Sequence, residues 1–500
     1  MYKAVGAALA GVLCFGGNAY AQDLFEIKHL DAGHPVEAIE KIHLGTDEKA
    51  ALLVAGRDRE SIKHFSVFDI PAAGESAAAP AFHFTMPEDM LFFDTAKLDG
   101  KTTSMLFLSS EGVSHYNSVS NEIELIAPVQ SIFRQSFNPR LNKADFAKDL
   151  NGDGLADILL PDFDGYRLLL GKEGGGFEPE QRLGMSVEMR LGNGTPRYST
   201  FPYYQFDANF DGKDDIVFHQ DHSFLVFTQK ADGSFDDSAL TVPFELPVTG
   251  NSYKEEVRAD EQYADQTNLE NSTFQEIADI NGDGIIDIVT TTDIAKGVFN
   301  RTIEFHYYYG KNDGGKLTFD KDANTDIVMK GFSTRNEHID FGTDGKMDFV
   351  AGTAKLGIGK IIGIFLSGST SVDVNFYEQG TDGRYTEKPT FKKKVDVEFN
   401  LSSGQSSIPV VEMGDFNGDG VKDLVVSKKE KELQFFMATP TGKKMFARKA
   451  SKIKLPLPKN GEYVDAVDLN EDGKDDLAFY FDRLNGGADK VNRITLMMAK

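Results

Sequence analysis

Residues 279–287 read Asp-Ile-Asn-Gly-Asp-Gly-Ile-Ile-Asp, and the same nine-residue pattern, DxNxDGxxD, begins again at Asp149, Asp207, Asp415 and Asp468. A sixth copy from Asp340 reads DFGTDGKMD, with Gly342 where the others carry asparagine. Successive copies lie 53 to 75 residues apart, which is the interval of a supersecondary unit and not of a short fibrous repeat. Alternate residues of a tight loop turn their side chains toward one point. Positions 1, 3, 5 and 9 are all oxygen donors, the set a hard cation such as calcium selects. The candidate ligands are Asp149, Asn151, Asp153 and Asp157; Asp207, Asn209, Asp211 and Asp215; Asp279, Asn281, Asp283 and Asp287; Asp340, Asp344 and Asp348; Asp415, Asn417, Asp419 and Asp423; and Asp468, Asn470, Asp472 and Asp476. Five to six Ca2+ sites are expected. One copy alone reads as an ordinary Asx turn, but five close copies do not arise by chance.

An EF-hand loop opens with the same residues but needs a carboxylate at position 12 and a helix on each side. Position 12 is here Leu160, Phe218, Thr290, Ala351, Val426 or Phe479, and none can serve. The segment after each loop is instead strand-like: DILL from Asp157, DIVF from Asp215, DIVT from Asp287 and DLVV from Asp423. Downstream, a strand ends in a glycine turn and an aromatic, at Phe177, Phe235 and Phe319, more loosely at Tyr385 and Phe446. The unit reads strand A, aspartate loop, strand B, strand C, glycine turn, strand D. Four antiparallel strands form one blade of a β-propeller. These units resemble the FG-GAP and VCBS repeats of integrin α-subunit propellers and of bacterial exported proteins. The resemblance implies an all-β propeller with calcium between strands A and B.

Two units without the loop precede the six: Val36–Leu44 and Lys49–Asp58, then Met90–Leu98 and Ser104–Gly112, as A and B strands. The count is therefore eight blades, or seven if the first two units merge. The last unit has A at Tyr463–Val467, B at Asp476–Phe481 and C at Arg493–Met498, and then the chain stops. Leu24–Leu30 is expected to supply its D strand, which removes two exposed edges.

Lys3, the apolar stretch Ala4–Phe15 and the Ala19-Tyr20-Ala21 motif read as a secretory signal peptide spanning residues 1–21, leaving 22–500 as the propeller. The stretch is too short for a bilayer anchor. The lone Cys14 lies inside it, so no disulfide framework is available. The expected location is the periplasm or the extracellular space. A formal charge of −25 is expected to repel nucleic acid phosphates and anionic membranes. There is no tryptophan beside 39 phenylalanines, which points to a phenylalanine-based packing motif.

Catalytic signatures are absent: no GxSxG elbow and no HExxH helix. Gly357, Gly359 and Gly363 miss the dinucleotide spacing and read as strand residues. His219 and His222, flanking Asp221, read as an exposed polar hairpin. Two long D-to-A insertions, 184–204 and the acidic 250–272, are expected on the face opposite the aspartate loops. The function expected is a calcium-binding scaffold for adhesion or protein interaction, with no catalytic residues assigned and its protein or polysaccharide ligand unassigned. The alternatives are a polysaccharide lyase, which needs a base beside a charge-neutralising group, and a lectin.

Overall fold

The computed structural model describes residues 24–44, 49–72, 74–75, 79–134, 141–185, 188–192, 195–199, 201–220, 222–248, 268–297, 299–355, 357–400, 405–439, 445–483, 487 and 489–500. The expected signal peptide and most of the acidic insertion lie outside them.

Each B strand begins at the ninth position of a loop or its equivalent and carries apolar residues on both sides. The strand Asp157–Asp162 is buried at all six positions. Ile158 and Leu160 face one neighbouring sheet and Leu159 the other. A strand sandwiched on both faces loses the usual in-out alternation, and each such aliphatic side chain contributes about 1.5 to 3 kcal/mol on burial. Repeated around the chain, this produces eight antiparallel four-stranded sheets, one of them extended by a short fifth strand at Gln405–Ser406. The blades span 38–86, 92–128, 147–183, 203–243, 268–330, 332–406, 411–454 and, for the last, 464–499 together with 25–31.

Eight apolar clusters fill the eight contacts between successive blades, including that between the last and the first, where Leu30, Ile494 and Leu496 meet Leu52 and Val54. Phenylalanine dominates: Phe65, Phe107, Phe218, Phe224, Phe227, Phe235, Phe305, Phe349, Phe376 and Phe416 are among the largest side chains fully out of water. The molecule is an eight-bladed β-propeller, so the seven-blade alternative is excluded. A strands of successive blades adjoin one another, and Phe93 of blade 2 makes a parallel bridge to Lys143 just before the A strand of blade 3, so the A strands surround the central channel.

The N-terminal strand Phe25–Asp31 pairs with Arg493–Ala499 over seven residue pairs, from Phe25 opposite Ala499 to Asp31 opposite Arg493. It completes blade 8 as expected.

One element corrects the sequence reading. Gly357, Gly359 and Gly363 belong not to a strand but to a helix and its N-terminal cap: α1, Ile358–Ser367, capped by Gly357 and ended by a left-handed Gly368. It is inserted between the B and C strands of blade 6. The first D-to-A insertion contains a hairpin, Glu188–Gly192 with Thr195–Ser199. Residues 268–272 of the second belong to the long A strand of blade 5.

Candidate functional site

All six aspartate loops connect an A strand to a B strand, and they share one backbone pattern. The first aspartate accepts the N–H of the sixth-position glycine at 2.7–2.9 Å with one oxygen. Its other oxygen accepts the fifth-position N–H at 3.0–3.2 Å. The fourth position is left-handed in every loop: glycine at 152, 282 and 418, but Phe210 (φ 62°), Thr343 (φ 56°) and Glu471 (φ 61°) in the others. A phenylalanine and a β-branched threonine held there cost about 1 to 2 kcal/mol each, which the loop must offset.

The ninth position has a role that local sequence does not reveal. Its carboxylate is buried, at most 3% exposed in any loop. In five of the six loops one oxygen accepts from the start of its own loop, as from Leu150 N–H at Asp157 (2.8 Å) and from Leu469 N–H at Asp476 (3.1 Å). The other reaches the end of strand C: Asp157 accepts from Gly171, Asp215 from Gln229, Asp287 from Gly310, Asp348 from Gln379, Asp423 from Ala438 and Asp476 from Ala499, all at 2.7–2.9 Å. The first five of those residues are also the ones bridged to Phe177, Phe235, Phe319, Tyr385 and Phe446 across the glycine turn. The two sequence landmarks, loop and turn, are thus tied together by one carboxylate. Burial pushes these six groups up, Asp215 to about 6 and the others to about 7; in Asp157, Asp215, Asp423 and Asp476 the carboxylates at positions 5 and 1 push in the same direction.

The loop with Gly342 shows where its carboxylates point. A Cβ at that glycine would stand 3.6 Å from an oxygen of Asp348, 3.9 Å from Asp344 and 4.0 Å from Asp340. Three carboxylate oxygens therefore converge on the space that the asparagine side chain enters in the other five loops. There the asparagine amide lies 3.0–3.3 Å from the fifth-position carboxylate. An all-oxygen donor set of this kind fits a hard divalent cation. In this conformation the donors are turned largely onto backbone N–H groups, and among the described residues no three acidic or histidine side chains form a closed coordination set.

On the opposite face, B-to-C turns and D-to-A connections frame a basin of about 940 Å³. Blade 1 contributes Glu37 and Arg57, the blade 6–7 connection Asn400 and Gln405–Ile408, blade 7 Glu430, and blade 8 Tyr463, Asp482 and Arg483. Glu37 and Arg57 are ion-paired at 2.8 Å, and Tyr463 stacks on Tyr480 at 4.8 Å. The basin shares Phe399 and Ser406–Ile408 with a second cavity of about 810 Å³ running along the A strands of blades 6 and 7. Inside it the Arg335 guanidinium lies between Glu337 (2.7 Å) and Glu412 (3.2 Å) and donates to the Val411 carbonyl (2.6 Å). Burial pushes Glu412 up to about 7 against the pull of Arg335. No sequence motif announces this group, since Arg335 and Glu412 are 77 residues apart and meet only because blades 6 and 7 are neighbours.

The histidine pair flanking Asp221 is divided. His219 is not on an exposed hairpin: it is 3% exposed and packs on Phe274 at 4.1 Å between ring centroids. His222 is exposed, and Asp221 lies outside the described residues. A different histidine stack stands in blade 1, where His34 lies on His64 (5.2 Å) and His64 on His83 (5.3 Å). His34 is 3% exposed, with Nε2 3.0 Å from the Ser66 hydroxyl and Nδ1 3.1 Å from the Pro35 carbonyl. Burial pushes it down to about 4, with His64 and His83 adding to the effect. A neutral His34 in the fold and an ordinary one near 6.5 when unfolded means stability present above pH 6.5 and lost as pH falls toward 4, by at most about 3 kcal/mol. Urea midpoints at pH 7 and pH 4.5 check this: His34→Gln should lose visibly less stability on acidification than the native chain, and equal losses would remove His34 from the account.

A family model described as an FG-GAP-like repeat matches residues 415–479, from the aspartate loop of blade 7 to the B strand of blade 8. A search of curated proteins finds no significant match. Among solved structures, an Agrocybe aegerita lectin described as recognising non-reducing terminal N-acetylglucosamine aligns at 14% identity and TM-score 0.40, over 89% of this chain and all of the lectin. The Dos1 propeller aligns at 9% identity and TM-score 0.42, over 96% of each chain. With the repeat located and the blades counted, the chain is an eight-bladed β-propeller carrying an FG-GAP-like repeat at residues 415–479.

Proposed function

We propose that this chain is an exported, calcium-bound β-propeller serving as a binding or scaffold module, whose ligand enters the basin on the face opposite the aspartate loops. The observation that carries the reading is the separation of the two faces. Repetitive acidic loops stand on one side, and on the other is a 940 Å³ basin assembled from the variable connections of several blades. Calcium would be held by the aspartates and asparagines at positions 1, 3, 5 and 9, where it would neutralise clustered carboxylates and fasten strand A to strand B. Export rests on the charged, apolar and AxA segments of residues 1–21. No helix among the described residues is long and apolar enough to cross a membrane.

The basin mixes Arg57, Lys459 and Arg483 with Glu37, Glu430 and Asp482, and it adds amides, hydroxyls and two stacked tyrosines. Such a lining suits an uncharged, polyhydroxylated or peptide-like ligand. The test is capture by the immobilised protein across a polysaccharide panel and from the native secretome, comparing the native chain with the combined variant Lys459→Glu and Arg483→Glu. At least a tenfold loss of the captured ligand is expected; undiminished capture would remove the basin from the reading. A second reading, polysaccharide cleavage, is favoured by Glu412, a carboxyl raised to about 7 beside Arg335 in a cavity that meets the basin. Unsaturated sugar products that vanish in Glu412→Gln would establish it, and the absence of such products from every bound polysaccharide would dismiss it.

A further inference from the structure

The helix α1, Ile358–Ser367, has no buried residue. Ile358, Ile362, Phe365 and Leu366 fall at i, i+4, i+7 and i+8, so they share one stripe, and they are 67%, 53%, 67% and 83% exposed. Water-facing isoleucine, phenylalanine and leucine at this density are rare on a soluble surface, and here they occupy an insertion where blades 1 to 5 and 7 turn within five residues or fewer. The charge around them also departs from the rest of the molecule. The chain carries −25, yet residues 355–368 contain two lysines and no acid, and the neighbouring B-to-C turn of blade 7 reads Lys-Lys-Glu-Lys at 428–431. The two segments adjoin: the Gly368 carbonyl accepts from Phe399 N–H at 2.7 Å, and Glu398 beside it lies 3.6 Å from the Lys429 ammonium.

We propose that α1 is an interfacial anchor that seats this face of the propeller on a bilayer containing anionic phospholipid. The apolar stripe enters the boundary between headgroups and acyl chains, while the lysines of the insertion and of the 428–431 turn meet lipid phosphates. The six aspartate loops on the opposite face are repelled by the same surface, which turns the α1 side of blades 6 and 7 toward it. A second copy of the chain is the less favoured occupant, because pairing two α1 stripes brings both basic turns together.

Co-sedimentation of the full chain with vesicles of phosphatidylglycerol and phosphatidylcholine, and with phosphatidylcholine alone, tests this. Binding to the anionic vesicles is expected to be at least tenfold stronger than to the neutral ones and to fall with salt. The triple variant Ile362→Ser, Phe365→Ser and Leu366→Ser should lose at least tenfold on anionic vesicles with an unchanged melting temperature, since all three side chains face water. Residues 1–21 are present in both proteins, so the difference reports α1. Equal partition of variant and native chain overturns the proposal. So does a native chain that ignores vesicles but sediments as a dimer which the triple variant dissociates.

Discussion

Stripping calcium from the purified protein is expected to lower its unfolding free energy by about 7 kcal/mol, comparable to the net stability of a typical domain. The figure comes from many weak sites acting together. Extracellular calcium modules commonly bind at about 0.1 to 1 mM, and at ten times the dissociation constant one site adds roughly 1.4 kcal/mol. Five close copies of the loop multiply that to the stated total. Each loop brings together carboxylates at positions 1, 5 and 9, and in the Gly342 loop they converge within 4.0 Å of one point. Calorimetric melting with calcium, with chelator, and with chelator followed by magnesium is the measurement. A large fall on chelation and poor rescue by magnesium are expected, because the small octahedral ion fits such loops badly. Identical melting with and without metal, verified by elemental analysis, would refute calcium as the stabilising ion.

Replacing Asp287 with alanine is expected to cost about 3 to 6 kcal/mol even in chelator, and about 1 to 2 kcal/mol more with calcium, which position nine also helps to hold. Its carboxylate accepts from Ile280 (2.9 Å), Asn281 (3.1 Å) and Gly310 (2.9 Å), and it is fully shielded from solvent. Alanine strands these N–H groups in or beside the apolar cluster between blades 5 and 6, at about 1 to 3 kcal/mol for each that finds no water. Asp283, in contrast, is exposed and bonds within its own loop, to Ile285 N–H and the Asn281 amide. Asp283→Ala should therefore cost about 1 to 2 kcal/mol with calcium and little in chelator. Urea unfolding of both variants in both conditions separates the strand-tying role of position nine from the cation role of position five. If the two variants behave alike in chelator, the buried carboxylate does not tie the strands.

The blade pattern is legible in the sequence because its causes are local. The left-handed turns, the oxygen-rich loop and the strand that must be apolar on both faces all arise from adjacent residues, which is why Ser104–Leu108 and Asp476–Tyr480 fall within the segments expected. Even the closing strand is readable, from a last unit one strand short. The helix α1 is not, because a short apolar run has no periodicity that separates helix from strand, and three glycines argue against a helix. The ninth aspartate reads in sequence as part of a cation cage alone, since its second partner lies 14 to 31 residues downstream at a distance no local pattern encodes. Arg335 and Glu412 are hidden for the same reason. Their meeting belongs to the order of blades around the ring.

That ring is closed by a pairing between the first and last described strands, Phe25 with Ala499 and Asp31 with Arg493. During synthesis Phe25–Asp31 emerges before every other described strand, and its partner Arg493–Ala499 after all of them. Seven blades can assemble progressively by nearest-neighbour contacts, whereas the eighth waits for an encounter across more than 460 residues, a contact of the slowest kind. Until then two sheet edges and the cluster around Phe25, Phe416 and Phe435 stay open to water. A chain deprived of Arg493–Ala499 would therefore lose not an outer edge but the clasp itself, because both Phe25–Asp31 and the B strand of blade 8 pair with that one segment.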